Sequence, residues 1–267
     1  MTIATRRGVL GLLSASAALL SPSARAASET PAPAAGAEDA CILTPQSESG
    51  PYYLDPKLVR ADITEGRPGV PLGLRLRVIE AGACTPISGA RVDIWHCDAR
   101  GVYSGYPGQG DNHKLDQSGK TYLRGTQMAD AAGWAGFNTI YPGWYAGRAT
   151  HIHFRVFVDD ATVLTGQTFF PEALNEFIYT SVPDYTGRPK QRLVINANDR
   201  VATDADPDHR AYCAIKEERD RYLATLTLAV RREAAKPVEM PTGRLPPAPW
   251  IKDRLAALVP GLKRSPF

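Results

Sequence analysis

Arg148, His151 and His153 fall within six residues, and Tyr145 stands just ahead of them. In an extended strand the side chains alternate between faces. His151 and His153 then share one face, while Ile152, Phe154, Val156 and Val158 fill the other. Two imidazoles converging from one strand is a metal-ligand arrangement. The nearby phenol narrows the metal. Phenolate is a hard oxygen donor and suits a hard, high-charge ion such as ferric iron better than zinc or copper. An isolated His-x-His pair is also compatible with a half-exposed strand that binds nothing.

A second tyrosine strengthens the metal reading. Residues 90–97 alternate as a strand, with Val92 and Ile94 set against Asp93 and Trp95, and run into an Asp98-Ala99-Arg100-Gly101 turn. Tyr103 follows that turn directly. The wider pattern comprises Gly50-Pro51-Tyr52-Tyr53, Ala90 to Trp95, Asp98 to Tyr103, Phe137 to Tyr145, Arg148 to Phe154 and Gln167 to Pro171. In order and spacing it resembles the intradiol ring-cleavage dioxygenases, in particular the protocatechuate branch and its secreted single-chain relatives. The resemblance spans residues 41 to 230, and a match in several parts is more specific than any one motif.

The resemblance implies one Fe(III) per chain, held by Tyr103, Tyr145, His151 and His153. Tyr103 would stay on the metal, and Tyr145 would leave when substrate binds. Arg148 would stabilise negative charge on the substrate, with Gln167 beside it, and Gly50, Pro51 and Tyr52 would border the substrate cavity. The implied partners are a catechol and O2, and the implied product is a muconate-type diacid carrying both oxygen atoms. One departure matters. Ala146 and Gly147 follow Tyr145 where several relatives have a longer, bulkier insert, which leaves the pocket wall and the preferred catechol open.

The residue types fit that chemistry. A catechol must lose two protons to chelate a ferric ion, and a dissociating Tyr145 phenolate can take one of them. A guanidinium at Arg148 can stabilise charge developing on the ring, where one positioned donor in a dry site is worth about 3 kcal/mol. Two readings from other classes stand beside this one. His151 and His153 could hold zinc, though the carboxylate or third histidine such a site needs is missing nearby. The chain could also be an exported, non-catalytic β-sandwich binding module.

The N-terminus reads as an address. Arg6-Arg7 precedes an apolar, Ala/Leu/Ser-rich run, and Ala24-Arg25-Ala26 is a cleavage-like site. Residues 1–26 are therefore expected to be a twin-arginine signal, with the protein periplasmic or secreted and no membrane contact after cleavage. A Sec signal or an uncleaved anchor remains open. The full chain has 31 Lys+Arg against 28 Asp+Glu. Arg6, Arg7 and Arg25 lie in the signal, so the mature chain is formally neutral. Nothing in that balance points to nucleic acid, and a homo-oligomer is allowed.

The elements that must position these residues read as an all-β sandwich of mostly antiparallel strands with long loops and few short helices. Expected strands are 72–78, 90–97, 151–158, 163–170, 191–196 and 222–230, with a short helix over 171–180. Residues 27–40 read as a disordered leader, 41–235 as the catalytic domain and 236–267 as a Pro-rich tail. The tail should wrap over the body or a neighbouring subunit, with a short amphipathic helix over 251–258; a frayed terminus is the alternative. Cys41, Cys84, Cys97 and Cys213 allow one or two disulfides in any of three connectivities, with Cys97 a candidate buried thiol. His113 and His209 read as surface residues and His96 as a packed core or supporting histidine. Tyr106 and Tyr122 are candidates for the cavity mouth.

Overall fold

The computed structural model describes residues 41–55, 57–239 and 248–262. The expected signal at 1–26 and leader at 27–40 lie outside these residues. Eight strands form two four-stranded sheets. They are β1 (Pro71–Glu80), β2 (Arg91–Trp95), β3 (Arg124–Met128), β4 (Trp134–Ile140), β5 (His151–Val158), β6 (Ala161–Phe169), β7 (Ala214–Glu217) and β8 (Tyr222–Val230). One sheet runs β4-β1-β8-β7 and the other β3-β2-β5-β6. All pairings are antiparallel except β1 with β8, which is parallel from Leu72↔Tyr222 to Glu80↔Val230. The expected sandwich of mostly antiparallel strands is the observed fold.

Period-two alternation decides what lies between the sheets. Leu72, Leu74, Leu76 and Val78 of β1 meet Val92 and Ile94 of β2 and Ile152, Phe154, Val156 and Val158 of β5 in one buried cluster. Burying a side chain of this size stabilises by roughly 1.5–3 kcal/mol. The opposite face of β1 turns Arg75 and Arg77 toward the ring of Trp134. The opposite face of the second sheet is also buried, although its residues are polar. Asp93, Trp95, His151, His153 and Gln167 are each 1–2% exposed. Loop residues supply that cover: Tyr53 packs on Trp95, Glu48 O meets Gln167, and Tyr103 and Tyr145 lie against His151. Residues 59–62 bridge to both sheets, Val59 to Thr126 and Asp62 to Asn138.

Among the described residues three α-helices accompany the sheets: α1 (Glu172–Ser181), α2 (Arg200–Ala205) and α3 (Arg254–Leu258). α1 was expected; α2 was not, although Asp199 caps it by accepting from the Val201 and Ala202 N–H groups. β3, β4 and β7 were not anticipated as strands either. Residues 191–196 are not a strand, because side chains take the groups that a neighbouring strand would use. The Asn196 N–H donates to Glu172 Oε2 at 2.8 Å and the Ile195 N–H to Asn198 Oδ1 at 2.7 Å. Arg192 turns inward to Glu172 and Glu176.

In the tail, Asn198 Nδ2 donates to Pro249 O at 2.9 Å, and Arg254 pairs with Glu176 at 3.2 Å. The described tail is therefore laid on the body, with its helix shorter than expected. No helix among the described residues is long and apolar enough to cross a membrane.

Cys41 and Cys84 form a disulfide, 43 residues apart in sequence. Cys97 and Cys213 are buried free thiols, which resolves the pairing the sequence left open. Two thiols should react with a chromogenic disulfide reagent in denaturant without reductant, and close to none in native protein. Replacing Cys41 and Cys84 by Ala should lower stability by about 2–4 kcal/mol, read from denaturant midpoints. Four reactive thiols in the unreduced, denatured protein would contradict this pairing.

Candidate active site

The site begins as a row across the outer face of the second sheet. Arg124 of β3 pairs in register with Trp95 of β2, Trp95 with His153 of β5, and His153 with Gln167 of β6. One residue from each strand therefore lies side by side on one face. His151, two positions along β5, begins the next row opposite Phe169.

Two loops bring in the phenols. Asp98 organises the first by accepting from the Arg100 and Val102 N–H groups. Gly101 has φ +78°, and a Cβ there would sit 2.2 Å from Trp144 O, so only glycine fits where the two loops touch. The Tyr103 N–H donates to Gln109 Oε1 at 3.1 Å. Tyr145 starts the short turn that returns through Ala146 and Gly147 to Arg148, closed by the Arg148 N–H donating to Tyr145 O.

The four side chains meet at one atom. His151 Nε2 lies 3.3 Å from Tyr103 Oη, 3.1 Å from Tyr145 Oη and 3.1 Å from His153 Nε2. His151 Nδ1 lies 2.8 Å from Ala149 O. A carbonyl only accepts, so Nδ1 carries the proton and Nε2 is a bare lone pair. One lone pair can receive one hydrogen, yet three polar atoms crowd it. Donors about 2 Å from a common ion stand roughly 3 Å from one another. The residues present therefore fit a cation. Two of its donors would be hard phenol oxygens, which favours ferric iron. Among the described residues no three His, Cys, Asp or Glu side chains form a metal-sized cluster; the further polar side-chain atoms beside His151 Nε2 and His153 Nε2 are the two phenol oxygens.

Burial sets the charge states. It pushes the His151 imidazole down to about 3, with Arg148 adding to the shift, and carries His153 well below the usual value. Both rings are neutral at physiological pH, the form that ligates. Burial drives the Tyr103 and Tyr145 phenols up. They stay protonated until a strong cation draws the protons off.

The expected site residues around this cluster are largely gathered. Arg148 donates from Nε to Asp199 Oδ2 at 2.9 Å and from Nη2 to Gln167 Oε1 at 2.5 Å; Gln167 Nε2 donates to Glu48 O at 3.0 Å. Burial alone would raise the Asp199 carboxyl, but Arg148 and the Ala149 N–H hold it below the usual carboxylate range. Tyr52 stacks on Tyr103 with ring centroids 4.7 Å apart. Gly50 has φ +66°, and a Cβ there would approach His153 Cε1 to 3.1 Å. Pro51 is exposed.

Sequence reasoning missed three residues. Asp199, the partner of Arg148, lies 51 positions away; its cap position before a short helix was a signal for structure, not for this role. Gln109 holds Tyr103. Arg124 is 1% exposed and donates to Ser104 Oγ, Ser104 O and Tyr52 O at 2.6–2.8 Å. It thereby ties the chain beside Tyr103 to that of Tyr52.

His96 is fully buried, with Nδ1 2.8 Å from Cys97 O and Nε2 2.7 Å from Thr139 Oγ1. Both nitrogens are taken, so it supports the fold and is no ligand. His209 stacks on Tyr212, away from the phenols. Tyr106 packs edge-on against Tyr52, while Tyr122 is buried under Arg67.

Tyr103 and Tyr145 line a cavity of about 130 Å3 with Tyr52, Gln109, His113 and Lys190. His113 is exposed as expected, but at the mouth of this cavity. A larger cavity of about 610 Å3 lies beside Trp134 and Tyr212 and holds none of the candidate ligands.

A family model described as Dioxygenase matches residues 47–213, a span that contains every candidate site residue. An intradiol ring-cleavage dioxygenase from Tetranychus urticae is 29% identical with a TM-score of 0.66, covering 73% of this chain and 98% of that one. A second solved dioxygenase is 30% identical with a TM-score of 0.64 and the same coverage. The dioxygenase domain of a carbohydrate-binding fusion protein from Streptomyces sp. SirexAA-E is 26% identical with a TM-score of 0.51, over 72% of this chain and 99% of that one. No curated protein sequence matches.

His96 gives a pH test. Burial lowers its imidazole from 6.5 to about 4. The unfolded chain therefore binds a proton in this range that the folded chain refuses. Stability is full above pH 6.5 and falls as the pH drops toward 4, by at most about 3 kcal/mol from this residue. His96→Gln should show a shallower acid loss than wild type in denaturant titrations at pH 7, 5.5 and 4. Identical slopes would remove His96 from the account.

Proposed function

Because the chain belongs to the intradiol ring-cleavage dioxygenases, we propose that it opens a catechol-type ring with O2, using one Fe(III) held by Tyr103, Tyr145, His151 and His153. The observation that carries this reading is the meeting of two phenols and a second imidazole at the bare Nε2 of His151. A ferric ion there would ionise the phenols and draw electron density from a bound catecholate, making the ring reactive toward O2.

The chain's own residues divide the remaining work. Tyr103 is 1% exposed, packed under Tyr52 and fixed by Gln109, which suits a permanent ligand. Tyr145 is less deeply set and sits on a short turn at the edge of the cavity. That suits a ligand that can withdraw and accept, at Oη, the proton of an incoming catechol hydroxyl. Arg148 uses Nε for Asp199 and Nη2 for Gln167, which leaves Nη1 to meet charge on a substrate oxygen. Asp199 offsets the cost of burying this guanidinium before substrate arrives. One geometry of Arg148 thus serves both its ion pair with Asp199 and the proposed contact with substrate charge.

Export by the twin-arginine route to the periplasm or beyond is part of the same proposal. Its support is the Arg6-Arg7 pattern together with the Cys41–Cys84 disulfide, since disulfides persist in oxidising compartments.

Metal analysis of freshly purified, chelator-free protein should find one iron per chain and a visible tyrosinate-to-iron absorption. Stoichiometric zinc in a colourless protein would sink the reading. Tyr145→Phe should keep much of the iron but slow substrate binding and turnover, whereas His153→Ala should lose the iron. Equal loss in both would contradict the division of roles.

Arg148→Lys retains a cation but not the planar fork. Turnover should fall at least tenfold, about 1.4 kcal/mol, with iron content and spectrum near wild type. A lower melting temperature with near-normal turnover would leave Arg148 as a structural partner of Asp199 alone.

A further inference from the structure

A third cavity, of about 360 Å3, lies against the Tyr145–Arg148 turn. It shares Tyr145 and Ala146 with the smaller cavity that holds both phenols. The tail forms its far wall, through Pro249, Trp250 and Ile251, and Leu193 forms a side. Trp250 is 81% exposed and Leu193 58%, so two large apolar groups stand open at one mouth.

The two cavities meet at Tyr145 and Ala146, where the only side chain besides the phenol is a methyl group, and on the side of the 360 Å3 cavity a Cβ built on Gly147 would meet nothing within 4 Å. Two of the polar groups of the lining, Asn198 and Arg254, are already engaged. Asn198 Nδ2 donates to Pro249 O, and Arg254 is paired with Glu176. No uncompensated charge faces the space, so an apolar occupant is favoured over an ionic one.

We propose that the tail builds the specificity wall of the substrate site, with Trp250 as a specificity-determining residue, and that the preferred substrates are catechols bearing a bulky apolar alkyl or aryl substituent. The dihydroxylated ring occupies the 130 Å3 cavity, and its substituent passes Ala146 into the 360 Å3 one. Trp250 covers the substituent, and an indole face suits an aromatic one best. This inference rests on the ring-cleavage reading above for its substrate and on the 360 Å3 cavity for its specificity.

The test uses the iron-loaded full chain. Oxygen uptake should show a kcat/KM for 4-phenylcatechol at least tenfold above that for catechol. Trp250→Ala should reduce this ratio at least fivefold, chiefly through KM, and leave catechol within twofold. Leu193→Asn, on the opposite wall, should do the same. Binding of 4-phenylphenol, whose single hydroxyl cannot support ring opening, is followed separately by quenching of tryptophan fluorescence. It should weaken at least fivefold in Leu193→Asn.

Equal efficiency on the two catechols, or an equal loss on both in Trp250→Ala, would overturn the inference while leaving ring cleavage intact. If neither catechol is turned over, the functional reading fails instead. The 4-phenylphenol titration then decides the cavity on its own, and unchanged binding in Leu193→Asn would overturn it.

Discussion

One imidazole nitrogen sets the terms for the rest of this structure. His151 Nε2 has no proton to give, because Nδ1 gives its proton to Ala149 O, and three further polar atoms are held against it. Holding them there without water takes a scaffold on every side. β5 supplies both imidazoles by simple alternation. Two loops supply the phenols, and they touch where Gly101 meets Trp144 O and where Gly143 meets Asp98 O. The second sheet is consequently buried on both faces. Its inner face packs apolar side chains against the other sheet, and its outer face keeps polar ones dry beneath loops.

A dry polar face must account for each charge it contains, and two arginines, Arg148 and Arg124, do so differently. Arg148 has a carboxylate, Asp199, which is itself held by backbone N–H groups at the start of α2. Arg124 has only neutral oxygens, from Ser104 and Tyr52, and burial lowers its affinity for its proton accordingly. The first arrangement gives a cation whose charge is balanced yet directed. The second spends the charge on fixing backbone, tying the segment that carries Tyr52 to the one that carries Tyr103. Both depend on planar guanidinium forks that lysine cannot reproduce.

Much of this was legible in the sequence, and the limits have physical causes. Alternation is a property of neighbouring residues, so the strand carrying His151 and His153 and the apolar face of β1 could be read directly. β3 and β4, with Gly125 and Gly136 among polar neighbours, alternate weakly and were not read as strands. Residues 191–196 contain Leu193, Val194 and Ile195 and look like a strand, but side-chain partners from α1 and Asn198 claim their backbone. That information is not local. Neither is the pairing of Arg148 with Asp199, nor the seating of Pro249 on Asn198, which makes the tail a neighbour of Tyr145. The Ala146-Gly147 pair was visible as a departure from relatives. What filled the space beside it was not.

The parallel pairing of β1 with β8 has a consequence for how the molecule comes into being. Leu72 lies beside Tyr222, some 150 positions later in the chain, and β8 occupies an interior place in its sheet between β1 and β7. Until residue 230 has been synthesised, β1 lacks one of its two neighbours and half the core has no lid. Contacts this distant close a long loop before they contribute any stability. The second sheet has all its strands by residue 169, whereas the first cannot be completed as the chain emerges from the ribosome, and the edge of β1 stays open until the last strand arrives.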